Sequence, residues 1–332
     1  MKPIIVRYDL RAPAWLGSET ARLYPALLEQ CAWADSVPEL TSVGLSEHHG
    51  VDDGYCPSPV VVAGAVAART ARLGITLAAL VLPLHDPLRV AEDLAVLDIL
   101  SRGRTVVVFA AGYRAVEFSL FDKPMAGRGA WLEEAVALVR AAWRGEPVRA
   151  GETTTLTPPP FTPGGPPVLL GGSSVAAARR AARVADGFLP SAADPELAAA
   201  YRDERARLGL EEGYVGRADG PAAVFVAEDP DAFWARLAPH ALHETNSYGE
   251  WEAARPGTAR YYEPAEDAGA LRASGRYPVL TPDECVRLFR ELPEDGGLVL
   301  HPLLGGLDPE LGWSSLELFR DRVLPRLREE DV

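Results

Sequence analysis

The chain has 332 residues, 48% hydrophobic and 24% charged, the balance of a globular protein with a sizeable core. Its net charge of −14 argues against nucleic acid and anionic membrane surfaces as partners, because like charges repel. No stretch has the apolar length a bilayer requires, and the opening MKPIIVRYDLRAP is too weakly apolar for a secretion signal, so a cytoplasmic location is expected.

Strand-like and helix-like stretches alternate along the chain. Residues 3–10 predict the first strand, and Leu23, Ala26, Leu27, Cys31 and Ala34 then recur at helical spacing on one face. Residues 42–48 predict the second strand and 57–70 a helix with Pro59 in its first turn. Residues 73–82 predict the third strand. The helix after it opens on Asp86 as N-cap, with Pro87 at the first helical position, and stops at Gly103. Residues 104–111 predict a fourth strand, and Leu132, Ala135, Val136, Val139 and Trp143 mark its helix. Residues 166–172, 187–191, 221–228 and 296–303 complete the strands, and the last helix carries Leu316, Phe319, Val323 and Leu327.

Eight strands apolar on both faces, alternating with eight helices, predict an α/β protein: a (β/α)8 TIM barrel over residues 1–332 as one domain. A doubly wound open sheet is the alternative, but no GxGxxG follows the first strand. Two stretches break the repeat. Residues 146–165 contain TPPPFTPGGP and predict an excursion with short edge strands. Residues 244–280 are irregular and aromatic-rich, which predicts a lid or binding loop.

Active sites of such barrels lie at the C-terminal strand ends. That rule selects Asp9 and Leu10; Glu47, His48 and His49; Ala78 and Ala79; Ala111, Gly112 and Tyr113; Gly172, Ser173 and Ser174; Ser191; and His301. Glu47-His48-His49 is the strongest cluster, suited to proton transfer or to holding loop backbone. No metal is expected, because further ligands do not follow at ligand spacing. Gly172, Ser173 and Ser174 stand between a strand and a helix. Free N–H groups, the positive helix end and two hydroxyls suit a phosphate there; a plain turn with a serine N-cap is the other reading. Ala78-Ala79 puts small side chains inside a strand, leaving space for a flat ligand or filling a tight barrel layer. Cys31, Cys56 and Cys285 are odd in number and far apart, and are expected as buried small apolar groups.

LSEHHG, LAALVLPLHDPLRVAEDLAVLDILSRGR, GYRAVEF and PPVLLGGSSVAAARRAARVADGF resemble, in order and spacing, segments of the bacterial-luciferase-like monooxygenase family. TPDECVRLFRELPE and LELFRDRVLPRL are similar to its closing segments. The resemblance implies a (β/α)8 barrel that binds FMN or a deazaflavin. It implies a cis peptide between Ala78 and Ala79, forming a bulge behind the flavin, and a phosphate loop at Gly172, Ser173 and Ser174. His48, with Glu47 beside it, is implied at the reactive edge of the flavin, and Gly112 and Tyr113 at the cofactor. Where luciferase has a phosphate-binding arginine on its fourth strand, this chain has Ala111.

The function expected is a monooxygenase using reduced FMN and oxygen on a small organic substrate. No NAD(P)H-binding motif is visible, so a separate flavin reductase is expected to supply the FMN. The alternatives are a deazaflavin-dependent hydride-transfer enzyme and a non-catalytic flavin-binding protein. Leu10, Tyr248 and Trp251 are candidates for substrate contact. The helices at 57–70 and 86–101 are too apolar to face water all round, which predicts a homodimer through them.

Overall fold

The computed structural model describes residues 1–148, 153–253 and 261–328. The described residues hold ten short strands, most of them followed by a helix: β1 Ile4–Tyr8, β2 Leu40–Leu45, β3 Gly74–Leu80, β4 Thr105–Phe109, β5 Val168–Gly172, β6 Gly187–Pro190, β7 Tyr214–Val215, β8 Phe225–Val226, β9 Val279–Leu280 and β10 Leu298–Leu300. Eight of them form one curled parallel sheet in the order β10-β1-β2-β3-β4-β5-β6-β7. Strands such as β4, Thr-Val-Val-Val-Phe, suit that setting because β-branched side chains pack well when both faces are covered.

β8 and β9 pair separately, and a single bridge from Val224 to Leu300 ties them to β10. Among the described residues no ladder joins β7 to β8. The intervening GRADGPAA offers Pro221, which has no N–H to donate, and Arg217 is drawn off to Asp219 and Asp295. The regular succession of eight strands is thereby corrected: the seventh expected strand is the eighth found, and β7 and β9 had not been expected.

Helices cover the sheet: α1 Thr20–Asp35, α2 Pro59–Arg69, α3 Pro87–Ser101, α4 Ala115–Leu120, α5 Arg128–Trp143, α6 Val175–Val184, α7 Pro195–Arg207, α8 Pro230–Ala253, α9 Ala268–Ala273, α10 Pro282–Glu291, α11 Pro309–Leu318 and α12 Leu324–Arg328. The predicted faces of α1 and α5 are buried. Asp86 caps α3 through the N–H groups of Leu88 and Arg89, and the helix ends on Arg102 and Gly103 with positive φ. The three cysteines are buried and free. No helix among the described residues is long and apolar enough to cross a membrane.

The two irregular stretches differ from expectation. Of 146–165, residues 149–152 lie outside the described residues, and the rest holds no strand. Of 244–280, the first part is helix: α8 runs on to Ala253. Gly249 permits this extension because a Cβ there would lie 2.7 Å from Pro264 Cγ, a packing that outweighs the poor helix propensity of Asn246, Ser247 and Gly249.

Candidate active site

A cavity of about 630 Å³ opens at the C-terminal ends of the strands. β1 and β5, four places apart in the sheet, both line it, through Arg7 and through Gly171 and Gly172.

β3 shapes its floor. The peptide between Ala78 and Ala79 is cis. Ala78 pairs with Val108 and Leu80 with Phe109, so Ala79 has no partner and forms a bulge. Both alanines line the cavity.

β2 delivers Ser46, Glu47 and His48. The Nδ1 of His48 lies 2.7 Å from Glu117 Oε1, and the side chain is 8% exposed. Burial pulls the His48 pKa below its ordinary value, and Glu117 offsets only part of that. Burial alone would raise the pKa of Glu117, but the bond to His48 and its other partners hold the carboxyl below its usual range. Neutral His48 beside a carboxylate therefore keeps its proton on Nδ1 and turns Nε2 to the cavity, 3.5 Å from the Tyr113 hydroxyl. Glu117 Oε1 also accepts from the His49 N–H and from Arg114.

Glu47 does something different from what was expected. It accepts from His49 Nε2 at 2.8 Å, from His85 Nε2 at 2.6 Å and from the Val81 N–H. Burial would raise its pKa, yet these bonds hold it down to about 2. Both oxygens are engaged, so Glu47 fixes the chain just past the Ala79 bulge and is a positioning residue. Possible metal-ligating side chains that do not follow one another at ligand spacing are brought together in the fold. Donor atoms of Glu47, His49 and His85 lie within 4.8 Å of one another, as do those of Asp9, Glu244 and His301. In the first set, hydrogen bonds from His49 and His85 to Glu47 already join the three groups. Residue spacing along the chain could not show either set, because each is drawn from separate elements.

Across the cavity, Gly112, Tyr113, Gly172, Ser173, Ser174 and Ser191 line the wall. Ser174 caps α6 by accepting from the Ala177 N–H. The N–H groups of Val175 and Ala176 lie in the first turn, where a helix has no internal acceptor for them. Arg128 and Arg180 join this end. Arg128 donates to the Gly112 and Met125 carbonyls. Arg180 lies flat on Gly129, where a Cβ would come 2.4 Å from its Nη2. Its Nε is buried without a hydrogen-bond partner among the described residues, and its nearest carboxylate, Glu133, is 4.0 Å away. Burial and the neighbouring arginines pull its pKa down, the mark of a cation short of an anion. Ala111 lines the cavity without charge.

Of the three candidates for substrate contact, Leu10 and Trp251 fall outside the lining. Leu10, at φ +58, turns into the core and is 0% exposed. Trp251 lies behind His48, with 4.8 Å between ring centroids, and stacks on the Arg11 and Arg114 guanidiniums at 4.9 and 4.1 Å. Tyr248 lines the cavity, together with Tyr55, Tyr261 and Tyr262. Asp9, His49 and His301 are buried away from it. Sequence reading missed Glu117, Arg7, Arg128 and Arg180. The signal for Glu117 was its place four residues after Tyr113 at the start of a helix, and for Arg7 a lone charge inside an apolar strand.

The chain is thus an α/β protein whose curled parallel sheet frames, at its strand ends, a cavity with a cationic strand–helix turn on one side and a histidine–carboxylate pair on the other. Residues 38–298 match the luciferase-like monooxygenase family, and the chain belongs to it. Among curated relatives, the oxygenase component of flavin-dependent trigonelline monooxygenase from Acinetobacter baylyi is 26% identical over 136 residues, 40% of this chain and 37% of that one. Limonene 1,2-monooxygenase from Rhodococcus erythropolis is 33% identical over 104 residues, 31% of this chain and 27% of that one. The chain thus spans about a third of the length of the curated relatives it matches. Among solved structures, the monooxygenase RslO1 from Streptomyces bottropensis superposes with a TM-score of 0.72 at 24% identity, covering 98% of this chain and 100% of that one. The oxygenating constituent of 3,6-diketocamphane monooxygenase from Pseudomonas putida, in complex with FMN, gives 0.74 at 17% identity, covering 98% and 99%. Both share the fold.

Proposed function

We propose that the protein is the oxygenase component of a two-component monooxygenase that acts on a small organic substrate with reduced FMN and dioxygen. The observation that carries this reading is one cavity faced by the His48–Glu117 pair, the Ala78–Ala79 bulge and the cationic turn at Gly172–Ser174. The residues present fit FMN: Ser174, the first N–H groups of α6, Arg128 and Arg180 would hold its phosphate, and the two alanines leave room for its ring. Reduced FMN supplies the two electrons with which one oxygen atom enters the substrate and the other leaves as water. His48 Nε2 accepts and returns a proton at the cavity surface, while Glu117 fixes its tautomer. Tyr248, Tyr261 and Tyr262 exclude water from the reacting centre. A separate reductase is supported by the relative described as an oxygenase component.

A homodimer through α2 and α3 belongs to the same reading. Val61, Val96, Ile99 and Leu100 are 73%, 45%, 38% and 53% exposed on these two helices, an apolar surface suited to a second copy.

Hydride transfer with a deazaflavin is the second reading, favoured by Ala111 at the place of the fourth-strand arginine. Oxygen uptake separates the two. With photoreduced FMN and a turned-over substrate, coupled oxygen consumption is expected. Turnover under argon with reduced deazaflavin, and no oxygen uptake with FMN, would replace the oxygenase reading by the second.

A further inference from the structure

The β1 side of the cavity carries a marked excess of hydrogen-bond donors. β1 is otherwise apolar, yet Arg7 presents its guanidinium here on a side chain 23% exposed. Glu244, fully buried behind it, lies 3.3 Å from Nη2. Nη1 donates to the Tyr262 hydroxyl at 3.3 Å and Nη2 to the Tyr248 hydroxyl at 3.4 Å. These contacts leave part of the N–H fork uncommitted. Of the phenols beside it, Tyr262 adds one further donor. Tyr55 donates to Ser46 Oγ at 2.6 Å, so in its 2.7 Å contact with Tyr248 it is Tyr248 that donates. The Tyr262 oxygen accepts from Arg7, which leaves its own O–H to the cavity. Burial pushes the Tyr248 and Tyr262 phenols well above their ordinary pKa, so both stay protonated.

Acceptors are engaged elsewhere. Both Glu47 oxygens hold internal bonds, and Glu252 Oε2 accepts from the N–H groups of Tyr261 and Tyr262. Glu117 also lines the cavity, but away from Arg7, where its Oε1 is held by His48 and Arg114. The walls at this end are rings: Tyr248 and Tyr262 stack at 4.4 Å and 13°, with Tyr55, Tyr261 and His48 near them. Aliphatic lining comes from the opposite side, from Val108, Leu132, Leu170 and Leu189.

We infer that the substrate is a flat aromatic anion, whose carboxylate or acidic phenolic oxygen docks on Arg7 and Tyr262 while its ring lies against the tyrosines. This rests on the oxygenase reading for its place in the reaction, since the phosphate end then takes the cofactor and leaves the β1 end to the substrate. A desolvated oxygen anion matches uncommitted N–H and O–H donors. A neutral alkyl chain would leave those donors unmatched.

Calorimetric titration of the FMN-equilibrated protein with naphthoate, naphthylmethanol and decanoate separates ring from charge. Naphthoate is expected to bind at least about tenfold more tightly than either of the others, the scale of one charge-assisted hydrogen bond. Arg7→Met combined with Glu244→Gln removes the ion pair without stranding a buried carboxylate, and is expected to abolish the preference over naphthylmethanol. Decanoate or naphthylmethanol binding as tightly as naphthoate, or a preference unchanged in the double variant, overturns the inference. Should the double variant not fold, the ranking of the three ligands on the wild-type protein decides alone. Should FMN itself fail to bind, the oxygenase reading falls, while the same ranking on the protein without flavin still tests this one.

Discussion

Glu117 Oε1 sits 2.7 Å from His48 Nδ1 and joins α4 to the end of β2. The pair sets both the tautomer of His48 and its titration. Replacing His48 by Ala is expected to lower product formation about 10²–10⁴-fold while FMN still binds, as for a lost acid–base group. Wild-type turnover in that variant would remove His48 from the reaction.

The sign of the pH dependence follows from the same contact. Burial depresses the His48 pKa and Glu117 raises it partway back. The acidic limb of the rate profile is therefore expected below the ordinary histidine pKa of about 6.5, and Glu117→Gln is expected to move it lower still. The depressed group also contributes stability that is present above the unfolded-state value and lost as pH falls toward the folded one. Chemical denaturation of wild-type and His48→Ala proteins between neutral and mildly acidic pH measures that contribution. A limb moving upward in Glu117→Gln would contradict the assignment.

Arg180 is expected to act on phosphate alone. Arg180→Met should weaken FMN about 10–100-fold, the worth of a charge-assisted bond, and leave riboflavin affinity unchanged. Ser174→Asp should do the same by repulsion. Fluorescence titration with both ligands is the measurement, and equal losses would place the phosphate elsewhere.

Ala79→Leu would add a side chain at the cavity floor. Overpacking costs about 1–3 kcal/mol, and flavin affinity is expected to fall about tenfold or more with the circular dichroism spectrum intact. Undiminished affinity would detach the bulge from the flavin site.

Val61→Lys combined with Leu100→Lys should convert a dimer to a monomer in light scattering at micromolar concentration, because charge on an apolar interface is left unpaired. A wild-type monomer would remove the homodimer reading.

How much of this was legible depended on how local each determinant is. The limits of α3 could be read because Asp86, Pro87 and Gly103 act on their own helix ends. β7 and β9 could not, since two-residue strands between Gly213 and Gly216, or between Pro278 and Thr281, have no period to detect. The turn at Gly172–Ser174 was legible as a motif, and the bulge only through the family resemblance. Arg180 was not, because its meaning depends on Gly129 in another helix. Trp251 misled for a related reason: an aromatic in an irregular stretch suggested a lid, whereas α8 carries it behind His48 toward two arginines.

The extension of α8 has a practical side. Glu244, Tyr248 and Glu252 fall at steps of four on one helix, so they form a single stripe; Tyr248 and Glu252 line the cavity directly, and Glu244 acts through Arg7. A combinatorial library confined to those three positions would explore new substrate pockets on a rigid backbone. Arg128, Arg180 and the α6 turn would stay untouched at the opposite end, so on the proposed reading selection could retune what the protein accepts without renegotiating how it holds a flavin.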